Sequence, residues 1–448
     1  MIPTGAPPDL ATLTGGSPTA YARYVGAVTV LFGLYLLGLY LASRMQGRAP
    51  VAIVIGCGVL SALALAGVYP YGASDLFLYV ARGRVLGIHG YNSLVVPPNT
   101  FQDIAAYVPF PSEWVDFPSP YGPLWEWTAA LLARLGDGSL LRSVLVFKLF
   151  NVGVYVACLS VIFAILRRRG REHILSGLVA FAWNPLVLLE AHAQGHNDLY
   201  MMLFVLLALW AWERSHHSSA IVLLVVGGLV KYVPFLLLPV VIVLLWRQVP
   251  TRVWLRTVGR GLLASLLLGA LIFGPLWPGK DWGLLKQMAF GHNSVAAWLI
   301  LTLDRVFAVP DAFQIGSWAM RLAFGGAYLW VIARAWREGT PAAQTCHRVL
   351  YAWLLLGALA FGYWYIVWLV VLASLLLDER ERLRTIVFSW CGLVSVVLYI
   401  LSSAWSDVIN IQQAYSLIIP FVFGLPLLLA QKYGRWFQTV LHLAKQHR

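Results

Sequence analysis

Apolar runs dominate this chain, separated by short polar breaks. Runs of membrane-spanning length lie at 25–42, 51–69, 144–166, 174–190, 261–277, 315–332, 386–401 and 415–430. A spanning helix needs about 20 residues, with about 17 as a practical minimum. The run 199–212 is shorter but has polar turns on both sides. Two more blocks, 220–246 and 349–377, are too long for one pass and awkwardly short for two. The first is broken at Lys231-Tyr232-Val233-Pro234 and the second near Gly362. The pattern predicts an all-α chain.

Basic residues give the runs a direction. Arg167, Arg168, Arg169 and Arg171 mark one cytoplasmic loop, Arg247, Arg252, Arg256 and Arg260 another, and Arg380, Arg382 and Arg384 a third. Both broken blocks lie between basic loops, so each is expected to cross twice as a hairpin of short helices. The result is a single polytopic membrane domain over 1–448 with about 12–13 crossings. Its N-terminus is expected outside and its C-terminus inside. The external segments are then 71–143, 278–314 and 191–198.

Composition agrees. Of 448 residues 60% are hydrophobic and 11% charged, and mean hydropathy is +0.75. Soluble chains carry about 25% charged residues, so an appended soluble catalytic domain is excluded. The net charge of +13 invites a nucleic-acid partner. Its distribution in short clusters between apolar runs is instead that of a topology signal. Cys57, Cys158, Cys346 and Cys391 stand singly, which implies neither a zinc site nor a disulfide frame. No cleavable signal peptide is expected in Met1 to Ala20, which lacks a basic region followed by an apolar stretch.

The unusual chemistry lies in the external segments. Residues 76–86 read as an amphipathic surface helix and 122–135 as a second. Asp75 stands where a membrane run has just ended. It suits a general base that takes a proton from an acceptor hydroxyl, while Ser74 or Asp75 equally suits the cap of the surface helix. Arg82, Arg84, Lys231 and Arg321 are candidate phosphate binders; Arg82 and Arg84 also suit plain snorkelling. Lys231 inside an apolar block is costly unless paired or wetted.

The loop Glu190-Ala-His192-Ala-Gln-Gly-His196-Asn197-Asp198 follows a break at Asn184-Pro185. Such polar density belongs to a cavity. Gly195 interrupts the helix that would make the His192/His196 spacing a metal motif, so no metal is expected. Asn197 or Asp198 equally suits the cap of the next helix. Gly291-His292-Asn293-Ser294 has the same polar character. Tyr121 and Trp125, with Trp114, Trp127, Trp282 and Trp298, suit stacking on a sugar face or an interfacial belt.

These residues resemble a family. Asp75 after a membrane run, Arg84-Val-Leu-Gly-Ile-His-Gly-Tyr-Asn92, Pro120-Tyr-Gly-Pro123, Trp183-Asn-Pro185, Gly195-His-Asn-Asp198, and Lys231 with Pro234 resemble GT-C-type membrane glycosyltransferases. Among these they look most like bacterial polyprenol-phosphate-mannose-dependent α-mannosyltransferases. The resemblance implies a GT-C-like helix bundle with juxtamembrane helices on the first external loop, and an acidic catalytic residue at that loop's start. It also implies a polyprenyl-phosphate sugar donor, mannose before glucose or arabinose, with inverting transfer and no metal or cofactor.

On that reading Asp75 is the base, and Arg82, Arg84 and Lys231 hold the leaving phosphate. His196, Asn197, Asp198, His292, Asn293, Tyr121 and Trp125 line the sugar or the glycan or glycolipid acceptor, on the extracytoplasmic face of a multi-pass protein in the bilayer. The alternative is a transporter or lipid-linked sugar flippase, which Lys148, Lys231, Arg321 and the break at Pro185 would suit. Against it stand the lack of an inverted repeat and the concentration of polar chemistry on one side.

Overall fold

The computed structural model describes residues 16–72, 74–109, 112–283, 291–404 and 410–446. Among these every regular element is helical, apart from one isolated bridge between His292 and Ala360. In chain order the helices that matter here are α1 (Pro18–Arg44), α2 (Arg48–Ala66), α3 (Asp75–Gly87), α4 (Pro123–Leu135), α5 (Leu140–Arg169), α6 (Arg171–Ala182), α7 (Asp198–Glu213), α8 (His217–Gly228) and α9 (Leu238–Gln248). There follow α10 (Thr251–Phe273), α11 (Val295–Arg305), α12 (Ala312–Glu338), α13 (Ala342–Ala352), α14 (Ile366–Ala373), α15 (Glu379–Ala404) and α16 (Ile411–Ile419).

Among the described residues six helices are long and apolar enough to cross a membrane: Pro18–Arg44, Arg48–Ala66, Leu140–Arg169, Thr251–Leu276, Glu379–Ser402 and Ile411–Val440. A seventh joins them if Glu172–Ala182 and Pro185–Ala193, bent by 49° at the Asn184 break, count as one span. The expected 12–13 crossings therefore include segments that do not qualify alone. Both predicted breaks are present, but their arms are short: His217–Gly228, Val233–Gln248 and Tyr363–Ala373. At about 1.5 Å per residue, twelve helical residues reach about 18 Å of a ~30 Å core.

The chain forms two compact units. One comprises mainly Val59–Val161 and Leu188–Ala289, the other mainly Thr14–Gly58, Ile162–Val187 and Phe290–Arg448. In the first, α3 lies along α4, with Gly83 and Gly87 against the backbone of Ala129 and Ala130. The expected helix over 76–86 exists, but it is not a surface helix. Every residue from Leu76 to Gly87 is buried. Short 3-10 turns at Pro98–Thr100, Gln102–Tyr107 and Glu113–Asp116 wrap it, and Ala81 and Val85 pack with Ile104, Val96, Phe101 and Val108. By contrast α4 is amphipathic, with Trp127, Leu131 and Leu135 exposed and Trp125, Ala129 and Ala133 buried.

In the second unit α1 packs on α6, where the Tyr35 hydroxyl donates to the Ala180 carbonyl at 2.8 Å. Trp183 Nε1 donates to the Val54 carbonyl at 3.0 Å. The start of α15 carries a dense ion network: Arg348 meets Glu381 at 2.7 Å and Arg382 meets Glu379 at 2.8 Å.

Candidate active site

The polar loop after Pro185 is a folded element. Its backbone runs from a helical turn (Pro185–Leu188) into a wider π turn (Leu189–Ala193), then reverses at Gly195 before α7 begins. Gly195 has φ +84°, and a Cβ there would meet the Leu76 side chain at 2.9 Å. Glycine thus supplies both the left-handed turn and the close approach to the residue beside Asp75. His196 N–H donates to the Glu190 carbonyl at 3.0 Å and Gln194 N–H to that of Leu189 at 2.9 Å.

The turn brings His196 and Asn197 to α3, with Glu190 on the other side of His196. His196 Nδ1 lies 3.4 Å from Asp75 Oδ2, and His196 Nε2 lies 3.4 Å from Glu190 Oε2. The imidazole therefore stands between two carboxylates, with its own side chain and that of Glu190 only 2% exposed. Asp75 keeps 25% of its side chain open. Burial raises the Asp75 pKa, but the contact and charge of His196, with Lys231 and Arg82, outweigh it and hold the carboxyl below its ordinary value. Burial would lower the His196 pKa, yet Asp75 and Glu190 raise it to about 9. Both shifts favour the carboxylate–imidazolium form of the pair.

Neither capping alternative is realised through a cap side chain. Ser74 is the cap of α3 and Asn197 that of α7, and neither side chain accepts a cap hydrogen bond. Asp75 instead sits in the first turn of α3, where the helix dipole favours an anion. Asp198 is spent on Lys231, whose Nζ lies 2.9 Å from both its oxygens and 5.3 Å from the centre of the Tyr121 ring.

Lys231 arrives on the break between α8 and the 3-10 turn Val233–Leu237. The Pro120-Tyr-Gly-Pro123 loop docks there by backbone pairing. Gly122 N–H donates to the Val230 carbonyl and Leu124 N–H to the Leu229 carbonyl, both at 2.9 Å. The Tyr232 hydroxyl donates to the Tyr121 carbonyl at 2.8 Å. A Cβ at Gly122 would collide with the Leu229 carbonyl. Tyr121 Oη is 3.4 Å from Tyr79 Oη, which donates to Asn197 Oδ1 at 3.3 Å. Asp75, Tyr79, Tyr121, Glu190, His196, Asn197, Asp198 and Lys231 are thus joined into two adjoining networks within the first unit.

The remaining expected residues have other contacts within their own units. Arg82 is buried and gives Nη2 to the carbonyls of Trp114 at 3.3 Å and Phe117 at 3.5 Å; its Nε has no hydrogen-bond partner among the described residues. Arg84 is a clamp: it holds Asp137 at 2.6 Å and Asp103 at 3.1 Å and stacks 3.8 Å over Tyr107. Trp125 is 2% exposed among Tyr79, Tyr121, Phe147 and Tyr200, so its ring belongs to an aromatic core. His292 and Asn293 belong to the second unit. There Asn293 exchanges bonds with Tyr415 Oη at 3.0 and 2.9 Å, and Ser294 caps α11. Arg321 is exposed over the Trp318 ring.

A model of the family described as alpha-(1->6)-mannopyranosyltransferase, N-terminal domain, matches residues 6–247. That is more than half of the chain and includes the whole cluster from Asp75 to Lys231. The chain belongs to this family. Alpha-(1->6)-mannopyranosyltransferase B of Corynebacterium glutamicum is 27% identical over 259 residues, which is 52% of this chain. The same stretch is 42% of that relative, so the chain spans less than half the length of the curated family member it matches. The family match ends before His292 and Asn293.

Several participants were not assigned to the site from the sequence. Glu190 was part of the polar loop, yet a carboxylate ending an apolar run is itself a functional signal. Glu126, fully buried on α4, accepts from Ser119 at 2.5 Å and Ser93 at 2.6 Å and so ties two points of the 71–143 segment to α4. Burial pushes its pKa up against those two hydroxyls. Tyr79 sits in an unbroken apolar pattern that carries no signal. Lys148 and Asn151 are a polar pair three residues apart in the apolar stretch of α5, a signal that spacing does supply.

Proposed function

We propose that this chain transfers a mannosyl group from a polyprenyl-phosphate donor to a hydroxyl of a glycan or glycolipid acceptor, with inversion, on the extracytoplasmic face. Family membership supports mannosyl transfer, and the Arg-rich loops support the external placement of the 71–143 segment. The observation that carries the mechanism is the Asp75–His196–Glu190 chain, in which only Asp75 is open at its reacting end.

In this mechanism the acceptor oxygen forms a bond to the anomeric carbon as the bond from that carbon to the phosphate oxygen breaks. The leaving electron pair goes to the phosphate, and Asp75 takes the acceptor proton. His196 holds Asp75 ionised and oriented, at some cost in basicity, while Glu190 fixes the imidazole from behind. Arg82, whose buried Nε–H has no partner among the described residues, is the candidate donor to the phosphate, and the Lys231 charge stabilises the same developing anion. Asn197 Nδ2, buried and without a hydrogen-bond partner among the described residues, is the candidate donor to a sugar hydroxyl.

The test is transfer by the purified full-length chain with radiolabelled polyprenyl-phosphate mannose or nucleotide-linked mannose, against mannosylated glycolipid acceptors. Label should move from the prenyl donor only, into a product of opposite anomeric configuration. Transfer from the nucleotide donor alone, or retention of configuration, would overturn the proposal.

A further inference from the structure

Helix α5 is apolar along most of its length, yet it carries Lys148 at 0% and Asn151 at 2% exposure. Residues three apart share one helix face. A buried ammonium is expensive, and the contacts of Lys148 among the described residues are two backbone carbonyls rather than a carboxylate. One is the carbonyl of Ala193, at 2.7 Å, in the turn that leads to His196. The other is the carbonyl of Val68, in the segment that leads from α2 to Asp75. Asn151 Nδ2 donates to the Ala191 carbonyl at 3.2 Å and to that of His196 itself at 3.1 Å.

These bonds occupy five carbonyls of a turn that has left regular helix. The carbonyls of Leu189 and Glu190 are taken by backbone N–H groups, that of Ala193 by Lys148, and those of Ala191 and His196 by Asn151. A second tie runs parallel to the Lys148 bridge: Gly72 N–H donates to Gln194 Oε1 at 2.8 Å. The segment ending in Asp75 and the segment ending in His196 are therefore stapled together twice, at 68 to 193 and at 72 to 194.

We propose that Lys148 and Asn151 are positioning residues that hold the 189–196 turn so that His196 stands between Asp75 and Glu190. This rests on the reading of Asp75 as the base, and it adds the source of that residue's alignment. It also accounts for a buried lysine that would otherwise suit a transport path. The charged groups around His196 are Asp75 from α3 and Glu190 from the preceding turn, with Asp198, Lys231, Arg82 and Lys148 beyond them.

The experiment uses the full-length chain in lipid nanodiscs, comparing native protein with Lys148→Met, Asn151→Leu and Gln194→Met. Each replacement keeps side-chain bulk and removes the hydrogen-bonding group. Side-chain ¹⁵N-histidine NMR follows the titration of His196, its signal assigned by loss in His196→Gln. Native protein should titrate at about 9. In folded Lys148→Met and Asn151→Leu the midpoint should fall by about one pH unit or more toward the ordinary histidine value, as the carboxylates lose contact. The alkaline limb of kcat should move with it, while donor KM changes little.

Folded variants whose His196 titrates as in native protein would overturn the proposal, whatever their activity. Should Lys148→Met fail to fold, Asn151→Leu and Gln194→Met decide by the same criterion. A native chain that transfers no mannose, yet shows the fall in midpoint, would defeat the functional reading and leave the positioning role standing.

Discussion

Lys231 Nζ lies 2.9 Å from both carboxylate oxygens of Asp198, with 10% and 2% of the two side chains exposed. This pair joins the break after α8 to the first residue of α7, beneath the loop that carries Tyr121. Removing one partner leaves a buried charge unmatched, which costs about 3–5 kcal/mol. Asp198→Ala should therefore lower the thermal midpoint by several degrees, and Lys231→Met in the same background should recover much of the loss. Additive losses in the double variant would show that the pair is not coupled.

The pH dependence of stability has a sign set by His196. Its folded pKa is raised to about 9 from an ordinary 6.5. The stabilisation is fully present below about pH 6.5, declines as pH rises toward 9 and is lost above it; its full size is about 3 kcal/mol. Asp75, with its pKa lowered, works on the other flank: its contribution is present above the ordinary carboxylate value and lost as pH falls through its folded value. Thermal midpoints of native protein and His196→Gln should converge between neutral pH and pH 9–10. Curves that stay parallel across that window would place the imidazole outside the carboxylate pair.

Gly122 is where the Pro120-Tyr-Gly-Pro123 loop touches the backbone at Leu229. A methyl group there has no space, and the obstacle is a carbonyl rather than a flexible side chain. Gly122→Ala should push the loop off the break, with the two backbone bonds to Leu229 and Val230 lost or lengthened. We expect a folded protein with donor KM raised about tenfold, the size of one or two lost net hydrogen bonds. Gly90→Ala, at a positive-φ glycine with open space around it, is the comparison for strain alone. Native-like KM in Gly122→Ala would mean that this docking does not shape the site.

How much of this was legible in the sequence depends on what each feature required. The helix break at Asn184-Pro185, the reversal at Gly195 and the break at Lys231 carry their own chemistry, and all three lie where the residues suggested. The burial of α3 was not legible, because the 3-10 turns that cover it are loops without periodicity. Arg82 and Arg84 looked alike in sequence. Only the fold shows that one is buried against loop carbonyls and the other neutralises Asp103 and Asp137. Trp125 looked like a sugar platform because composition cannot say which way a ring on an amphipathic helix faces. The Asp75–His196–Glu190 alignment joins residues 121 and 6 positions apart, a relation that spacing alone does not contain.

The most direct test of the central claim is single-turnover mannosyl transfer by native protein and Asp75→Asn in lipid nanodiscs. Both should be monodisperse, with saturating polyprenyl-phosphate mannose and acceptor. A lost general base costs about 10²–10⁴-fold in rate. Asp75→Asn should fall by that factor with donor binding retained. A folded Asp75→Asn that turns over within a fewfold of native protein would contradict the assignment of Asp75 as the base.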